Sequence, residues 1–142
     1  MKEIKVYVVD NSVVLKPLLR EAGSEKVERL FVKKDNFEIS ILVPDIFRYE
    51  FFNKMTKDFS GAAALEAYNA FIEYQVSIIP MGPDLIESAN LLIKKHPKIT
   101  FYDAAYHALA KAYDADFITA DQRYYEQTKR EGNIKMLDDL KL

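Results

Sequence analysis

Residues 99–125 read ITFYDAAYHALAKAYDADFITADQRYY, and this pattern predicts a helix, a buried strand and the start of another helix. Small and apolar residues recur at helical spacing over residues 101–113, and the many alanines favour close packing against a sheet. The short apolar run 117–119 predicts a strand that leads directly to Asp121. Asp103 lies in the first turn of the predicted helix. The stretch therefore presents one acid at a helix start and another at a strand end.

The rest of the chain repeats this alternation of strands and helices. The predicted strands are residues 5–9, 39–43, 76–79, 117–119 and 134–137, and the predicted helices are residues 13–19, 25–34, 44–57, 62–74, 81–95, 101–113 and 121–130. Such alternation predicts a mostly parallel sheet of about five strands, covered by helices on both faces. The expected fold is a three-layer α/β/α sandwich with right-handed crossovers, in a single domain over residues 1–142.

Composition excludes several classes of protein. The chain has no cysteine, so a disulfide framework, a thiol nucleophile and a thiolate metal site are impossible. No run of about 18 apolar residues is present and the N-terminal apolar run is short, which predicts a cytoplasmic protein without a signal peptide or membrane contact. The net charge of −2 does not by itself indicate nucleic-acid binding.

Four acids follow strands or begin helices in comparable places. Asp10 follows the first strand, Glu50 lies on the helix after the second, and Asp103 and Asp121 flank the fourth. In open α/β sheets, ligands bind in the crevice outside the carboxyl ends of the strands. Clustered carboxylates repel one another and need a divalent cation to stay ionised together. With oxygen donors, no cysteine and only two histidines, the sequence favours Mg²⁺ or Mn²⁺ over a structural zinc.

Each acid also has a purely structural explanation. Asp10 and Asp121 can be helix N-caps and Asp103 can belong to a capping box, contributions of about 1 kcal/mol each. Glu50 can pair with Lys54 one helical turn away, a contact of about 0.2 to 0.5 kcal/mol. Any single acid is explained well in this way. Four of them in matching positions favour a common site.

Other local signals concern the first helices and the histidines. Pro17 lacks a backbone donor and predicts a kink in the first helix, and Ser24 predicts the N-cap of the second. His96 comes at a helix end, where it can cap the helix or face solvent. His107 follows Asp103 by one turn, so it is either a buried histidine bonded to a neighbour or a ligand or proton carrier at the site.

The segments that carry the four acids resemble those of a known family. They are VYVVDNSVVLK with Asp10, VPDIFRYEFFNKM with Glu50, TFYDAAYHALAKAYDADFITAD with Asp103, and TADQRYY with Asp121. Their order over nearly the whole chain resembles the PIN-domain family, and within it the VapC-like toxin ribonucleases of toxin–antitoxin pairs. Two departures concern the first segment: Asn11 replaces a smaller residue, and Pro17 interrupts a helix that is normally regular.

The resemblance implies a function and a set of roles. It implies a Mg²⁺-dependent endoribonuclease with an antitoxin protein as partner. From the four acids and the absence of any other nucleophile, we predict that the substrate is single-stranded RNA. The implied catalytic and metal-binding residues are Asp10, Glu50, Asp103 and Asp121, and the implied supporting hydroxyls are Ser12 and Thr119. Basic residues near the acids are candidates for contacts with RNA phosphates, namely Lys54, Lys57 and Arg123.

Alternative functions and the oligomeric state are also open at this point. An Asp after the first strand is also the nucleophile of haloacid-dehalogenase-like phosphatases, but that family has a second Asp where this chain has Ser12. A PIN-like domain that binds RNA or protein without cleavage is a further alternative. No glycine-rich phosphate loop supports a nucleotide switch. A homodimer is predicted from aromatic residues that look exposed: Phe47, Tyr49, Phe52, Tyr68, Phe71 and Tyr74.

Overall fold

Five parallel strands form one sheet in the computed structural model, which describes residues 3–142. The strands are β1 (Lys5–Val9), β2 (Ile39–Pro44), β3 (Ser77–Ile79), β4 (Asp116–Thr119) and β5 (Ile134–Met136). Their order across the sheet is β3-β2-β1-β4-β5, and all four neighbouring pairs are parallel. The predicted five-stranded parallel sheet is confirmed. The single domain over residues 1–142 stays a prediction, and its first two residues lie outside the described range.

Seven α-helices connect the strands within residues 3–142. They are α1 (Asn11–Leu19), α2 (Ser24–Asp35), α3 (Ile46–Asp58), α4 (Gly61–Ile72), α5 (Pro83–Lys95), α6 (Phe101–Ala112) and α7 (Gln122–Thr128), with short 3-10 helices at Lys129–Glu131 and Leu137–Asp139. The chain moves outward from β1 to β3 on one side and then from β4 to β5 on the other. Right-handed crossovers therefore place α1–α4 on one face and α5–α7 on the opposite face. This arrangement is the predicted α/β/α sandwich.

The core is continuous across both faces of the sheet. Val8 and Val9 of β1 are fully buried, as expected for the central strand of a parallel sheet. Helix α6 is buried along its whole middle, residues 104–110, because it lies between α5 and the sheet. Its alanines allow this close approach, which brings the first turn of α6 to the carboxyl edge of the sheet.

The second helix begins differently from the prediction. Gly23, not Ser24, is the N-cap of α2, and no side chain caps the helix. Gly23 adopts a left-handed φ of 93°, a conformation that glycine tolerates best. The Ser24 hydroxyl instead donates to the carbonyl of Lys16 at 2.9 Å and to that of Glu21. Ser24 thus ties the turn back to α1, and its predicted capping role is wrong.

Smaller differences affect helix ends and exposed aromatic residues. Pro17 lies inside α1, which ends two residues later at Leu19, and Pro44 closes β2 instead of starting α3. The predicted last helix divides into α7 and a 3-10 turn. Phe47 and Phe71, predicted as exposed, are buried and stacked on each other with ring centroids 4.7 Å apart. No helix within residues 3–142 has the length and apolar character needed to cross a bilayer.

Candidate active site

The carboxyl ends of β1 and β4 lie side by side at the centre of the sheet. The chain leaves β1 toward one side and β4 toward the other, so a crevice opens between the two departing loops. Asp10 follows β1 directly, and Asp121 comes two residues after the end of β4. The strand order thus brings together two acids that are far apart in the sequence.

A cleft of about 530 Å³ occupies this crevice. Its lining residues are Asp10, Asn11, Ser12, Tyr49, Glu50, Asn53, Lys54, Lys57, Tyr102, Asp103, Tyr106 and Asp121. All four predicted acids line the cleft, as do Ser12, Lys54 and Lys57. Thr119 lies beneath it, almost completely buried, and Arg123 is exposed on α7 outside its lining. Asp10 and Asp121 are the N-caps of α1 and α7, and Glu50 and Asp103 lie on α3 and α6, so the acids come from both faces of the sheet.

Asp10 is the most buried of the four acids, with 7% of its surface exposed. Its Oδ1 accepts hydrogen bonds from the Ser12 hydroxyl at 2.5 Å and the Val13 backbone N–H at 3.1 Å. Its Oδ2 accepts from the Thr119 hydroxyl at 3.4 Å. Burial raises the pKa of Asp10 to about 6, although the bonds from Ser12 and Val13 oppose that rise. Asp10 therefore caps α1 and lines the cleft at once, so the structural explanation does not remove it from the site.

Asp103 and Asp121 are positioned by hydrogen bonds at the N-termini of α6 and α7. Thr100 caps α6 by accepting the Asp103 backbone N–H at 3.2 Å, and the Asp103 side chain lines the cleft. Asp121 caps α7 by accepting the Tyr124 N–H at 3.0 Å, and its own N–H donates to Thr119 at 3.0 Å. Burial raises the pKa of Asp103 to about 6, and the negative charges of Asp10 and Asp121 raise it further.

Glu50 is half-buried on α3 and is anchored by a tyrosine from the opposite layer. The Tyr106 hydroxyl donates to Glu50 Oε1 at 2.8 Å. Burial raises the pKa of Glu50 and the charge of Asp103 adds to the effect, while hydrogen bonds from Tyr106 and Asn11 oppose it. Among the described residues Glu50 forms no ion pair with Lys54. The alternative of a simple pair along the helix surface is therefore not what the structure contains.

The electrostatics of the cleft favour a bound cation. Three of its four carboxyl groups have raised pKa values, because they are buried and because their charges repel one another. Within residues 3–142, no three acidic or histidine side chains stand close enough to enclose an ion directly. Mg²⁺ does not require this, since it keeps several waters and is usually held by one or two carboxylates. The donor set, oxygen only and negatively charged, therefore fits a hydrated Mg²⁺ or Mn²⁺ ion.

The two histidines do not belong to the cleft. His107 is fully buried, and its ring nitrogens bond to the Tyr124 hydroxyl at 2.8 Å and the Gly132 carbonyl at 2.7 Å. Burial lowers the pKa of His107, which favours the neutral ring. His96 is the C-cap residue of α5 and contacts Glu131 at 3.1 Å. Both residues stabilise the α5–α6 side of the domain.

Two cleft residues were missed by the sequence reasoning. Tyr106 follows Asp103 by three positions and so lies on the same side of α6, a spacing that could have identified it. Asn11 was treated only as a departure from the family pattern, although its side chain bonds to the Phe47 carbonyl at 3.3 Å and the Tyr106 hydroxyl at 3.4 Å. Nothing in the local sequence indicates these contacts, because they join three separate helices.

Comparisons with known proteins agree with the fold. The model of the PIN domain family matches residues 7–130. No curated protein is similar enough in sequence to match the chain. Solved structures with a similar fold include VapBC2 from Rickettsia felis bound to a promoter DNA fragment, with 15% identity and a TM-score of 0.70, covering 92% of this chain and 96% of the other. A toxin–antitoxin complex from Klebsiella pneumoniae has 13% identity and a TM-score of 0.69, and the match covers 92% of this chain and 97% of the other. VapC20 from Mycobacterium tuberculosis, a Sarcin-Ricin loop cleaving toxin, has 18% identity and a TM-score of 0.64, and the match covers 80% of this chain and 87% of the other.

Proposed function

Because the chain belongs to the PIN domain family, we propose that it is a Mg²⁺-dependent endoribonuclease that hydrolyses phosphodiester bonds of RNA. The observation that carries this proposal is the convergence of Asp10, Glu50, Asp103 and Asp121 on one cleft. Helix capping explains two of these acids singly, but it does not explain why four of them line the same cavity. In this proposal all four are metal-binding residues, one or two of them directly and the others through waters of the hydrated ion, and Mn²⁺ can replace Mg²⁺.

The residues of the chain divide the work between holding the ion and holding the RNA. When bound, the ion would lower the pKa of the attacking water and stabilise negative charge at the phosphate. Ser12 and Thr119 orient the Asp10 carboxylate through their hydroxyl hydrogen bonds. Lys54 and Lys57 are exposed on the cleft wall, where they can hold phosphates beside the scissile bond. Arg123 lies outside the lining and is proposed to contact a phosphate farther along the strand.

Two exposed aromatic side chains favour a single-stranded substrate. Tyr49 is 74% exposed on α3 and Tyr102 is 55% exposed on α6, and both line the cleft. Unpaired bases stack well on exposed aromatic rings. A duplex hides its base faces and offers the tyrosines no such surface. The cleft is therefore proposed to bind unpaired RNA.

A cleavage assay tests the proposal. The purified chain is incubated with unpaired and paired RNAs in Mg²⁺, in Mn²⁺ and in EDTA, with Asp103→Asn as the inactive variant. Cleavage of unpaired RNA that needs the metal and Asp103 is expected. Cleavage that continues in EDTA at the same rate would exclude the metal-dependent mechanism. RNA binding without any cleavage would favour the alternative of a non-catalytic domain.

The phosphatase alternative receives no support from the cleft. Haloacid-dehalogenase-like enzymes place a second Asp two positions after the first, and here that position is Ser12. The Ser12 hydroxyl donates to Asp10. It therefore supports the Asp10 carboxylate and cannot serve as the acid of a phosphatase.

The proposed partners are an antitoxin protein and a second copy of the chain, in the cytoplasm. Several similar structures are complexes of a toxin with an antitoxin, which makes a toxin role the natural proposal here. The homodimer rests on exposed aromatic and apolar side chains on α3, on α4 and just after α4: Tyr49 is 74% exposed, Leu65 51% and Tyr74 39%. A small adjacent reading frame with a DNA-binding N-terminus would support the toxin role. A monomeric mass in light scattering at micromolar concentration would contradict the dimer.

A further inference from the structure

Tyr106 is a buried polar residue that links the two helical layers behind the cleft. Its side chain is only 1% exposed, and its ring stacks on Phe117 of β4 with centroids 5.8 Å apart and an angle of 15° between the planes. Its hydroxyl reaches across the carboxyl edge of the sheet to Glu50 of α3. Because the ring is enclosed by the core, the position of this hydroxyl is set by packing.

The directions of the hydrogen bonds around this hydroxyl follow from the chemistry of its partners. The Asn11 side-chain N–H₂ group donates to the Tyr106 oxygen at 3.4 Å and to the Phe47 carbonyl at 3.3 Å. An amide nitrogen can only donate, so the Tyr106 oxygen accepts from Asn11 and uses its single hydrogen toward Glu50. The 2.8 Å bond to Glu50 Oε1 is then a donation from tyrosine to an acceptor oxygen.

The orientation of Asn11 is obtained at a cost. Its Oδ1 is the one buried side-chain oxygen or nitrogen within residues 3–142 that lacks a hydrogen-bond partner. Asn11 is only 5% exposed, and an unpaired buried acceptor destabilises a folded protein. The amide therefore satisfies its donors at the expense of its acceptor.

We infer that Tyr106, held by Asn11, is a positioning residue for Glu50: it fixes one oxygen of this carboxylate and leaves the other available to the cleft. A glutamate on a helix can adopt many rotamers, and a bond to a rigid hydroxyl selects one of them. Glu50 is half-buried, so without this donor it would turn toward solvent or toward Lys54. The inference rests on the proposed metal-binding function of the cleft.

Tyr106→Phe tests the inference, with Tyr124→Phe as the matched control. Both substitutions remove one hydroxyl from a buried tyrosine and keep a ring that contacts Phe117. The Tyr124 hydroxyl bonds to His107 and not to a cleft acid. The full chain is titrated with Mn²⁺ alone in a calorimeter. Tyr106→Phe should bind Mn²⁺ about tenfold more weakly, which is the usual loss when a hydrogen-bond partner of a metal ligand is removed. Tyr124→Phe should bind Mn²⁺ like the wild type.

A second background shows whether Tyr106 acts through Glu50. In Glu50→Ala the oxygen that accepts the Tyr106 hydrogen bond is gone, so adding Tyr106→Phe should weaken Mn²⁺ binding no further. Asn11→Ala tests the other end of the network, because Asn11 donates to the Tyr106 hydroxyl, and it should give a several-fold loss of Mn²⁺ affinity that also disappears in Glu50→Ala. This third variant keeps the test decisive if Tyr106→Phe folds poorly by circular dichroism.

The outcomes separate this inference from the proposed function. Equal Mn²⁺ affinity of wild type, Tyr106→Phe and Asn11→Ala would overturn the positioning role and leave the metal site standing. An equal loss in the wild-type and Glu50→Ala backgrounds would also overturn it, since the hydroxyl would then act on the structure in general. Absence of Mn²⁺ binding by the wild type would overturn the metal site and this inference together.

Discussion

Replacing Asp10 by Asn is expected to inactivate the protein and, in the absence of metal, to make it more stable. The substitution removes a charge and keeps nearly the same shape. An asparagine Oδ1 can still accept the hydrogen bonds that Ser12 and Val13 now donate to Asp10. Asparagine is also as good an N-cap as aspartate, so α1 keeps its start. The main physical change is therefore the loss of a buried negative charge.

The magnitude follows from the pKa of Asp10, which rises from 3.8 to about 6 on folding. Each tenfold change in proton affinity is worth about 1.4 kcal/mol, so the ionised group costs the folded state about 3 kcal/mol at neutral pH. The variant loses the bond from Thr119, which is worth about 1 kcal/mol. The net gain is about 2 kcal/mol, or roughly 8 °C in the melting temperature of a domain of this size.

The stability difference between Asp10→Asn and the wild type depends on pH. Between about pH 4 and pH 6 the folded protein holds the Asp10 proton while the unfolded chain releases it, so the stability of the wild type falls as the pH rises through this window. The advantage of Asp10→Asn should therefore be full at pH 7.5 and small near pH 4. Magnesium at ten times its dissociation constant should return about 1.4 kcal/mol to the wild type and nothing to the variant.

Urea unfolding followed by circular dichroism, in EDTA at pH 7.5 and pH 4, measures these differences. Asp84→Asn is the matched control, because Asp84 is an exposed acid in the first turn of α5. It should change stability little at either pH. A variant Asp10→Asn that is less stable than the wild type at pH 7.5 would refute the reasoning, because capping would then outweigh the buried charge. An increase in the free energy of unfolding that is equal at both pH values would show that the buried charge of Asp10 is not its cause.

Further predictions concern the walls of the cleft and an ion-pair cluster outside it. Lys54→Ala and Lys57→Ala should each weaken RNA binding, leave Mn²⁺ affinity unchanged, and reduce the slope of log affinity against log salt by roughly 0.7; an unchanged slope would place the RNA elsewhere. Tyr49→Ala and Tyr102→Ala should weaken binding of unpaired RNA by about 1 kcal/mol or more, with no effect on an abasic strand in a fluorescence-anisotropy titration. Glu131, whose pKa is lowered to about 2 by its contacts with nearby basic side chains, should contribute stability that is present above about pH 4.5 and lost as the pH falls toward 2. Thermal melts of Glu131→Gln and wild type should therefore differ at pH 7 and converge near pH 2.

The site could be predicted in part because its acids obey local rules. Asp10 and Asp121 come where strands end, and residues there lie at one edge of a parallel sheet whatever the order of the strands. Glu50 was identifiable from its segment and from the polar face that it shares with Lys54 and Lys57. The structure brings all of these residues to one cleft, as the sequence reasoning expected. Their roles stay predictions until metal and RNA binding are measured.

The periodicity of the chain alone determined the elements and the layer architecture. An uninterrupted apolar run such as β1 is stable only when both faces are covered, and the alanine-rich α6 is suited only to tight packing. Both properties reside in consecutive residues, so the sequence displays them directly. Element ends were less certain: Gly23 and not Ser24 caps α2, because a left-handed turn there outweighs the capping preference of serine.

Tertiary structure alone decided the strand order, the burial of each acid and the partners of the polar side chains. The bond between Tyr106 and Glu50 joins residues 56 positions apart, and Asn11 reaches Tyr106 over 95 positions. The assignment of His107 to the core depended on a carbonyl 25 residues away. Hydrogen bonds and desolvation depend on which groups meet in space, and that is settled only when the whole chain has packed.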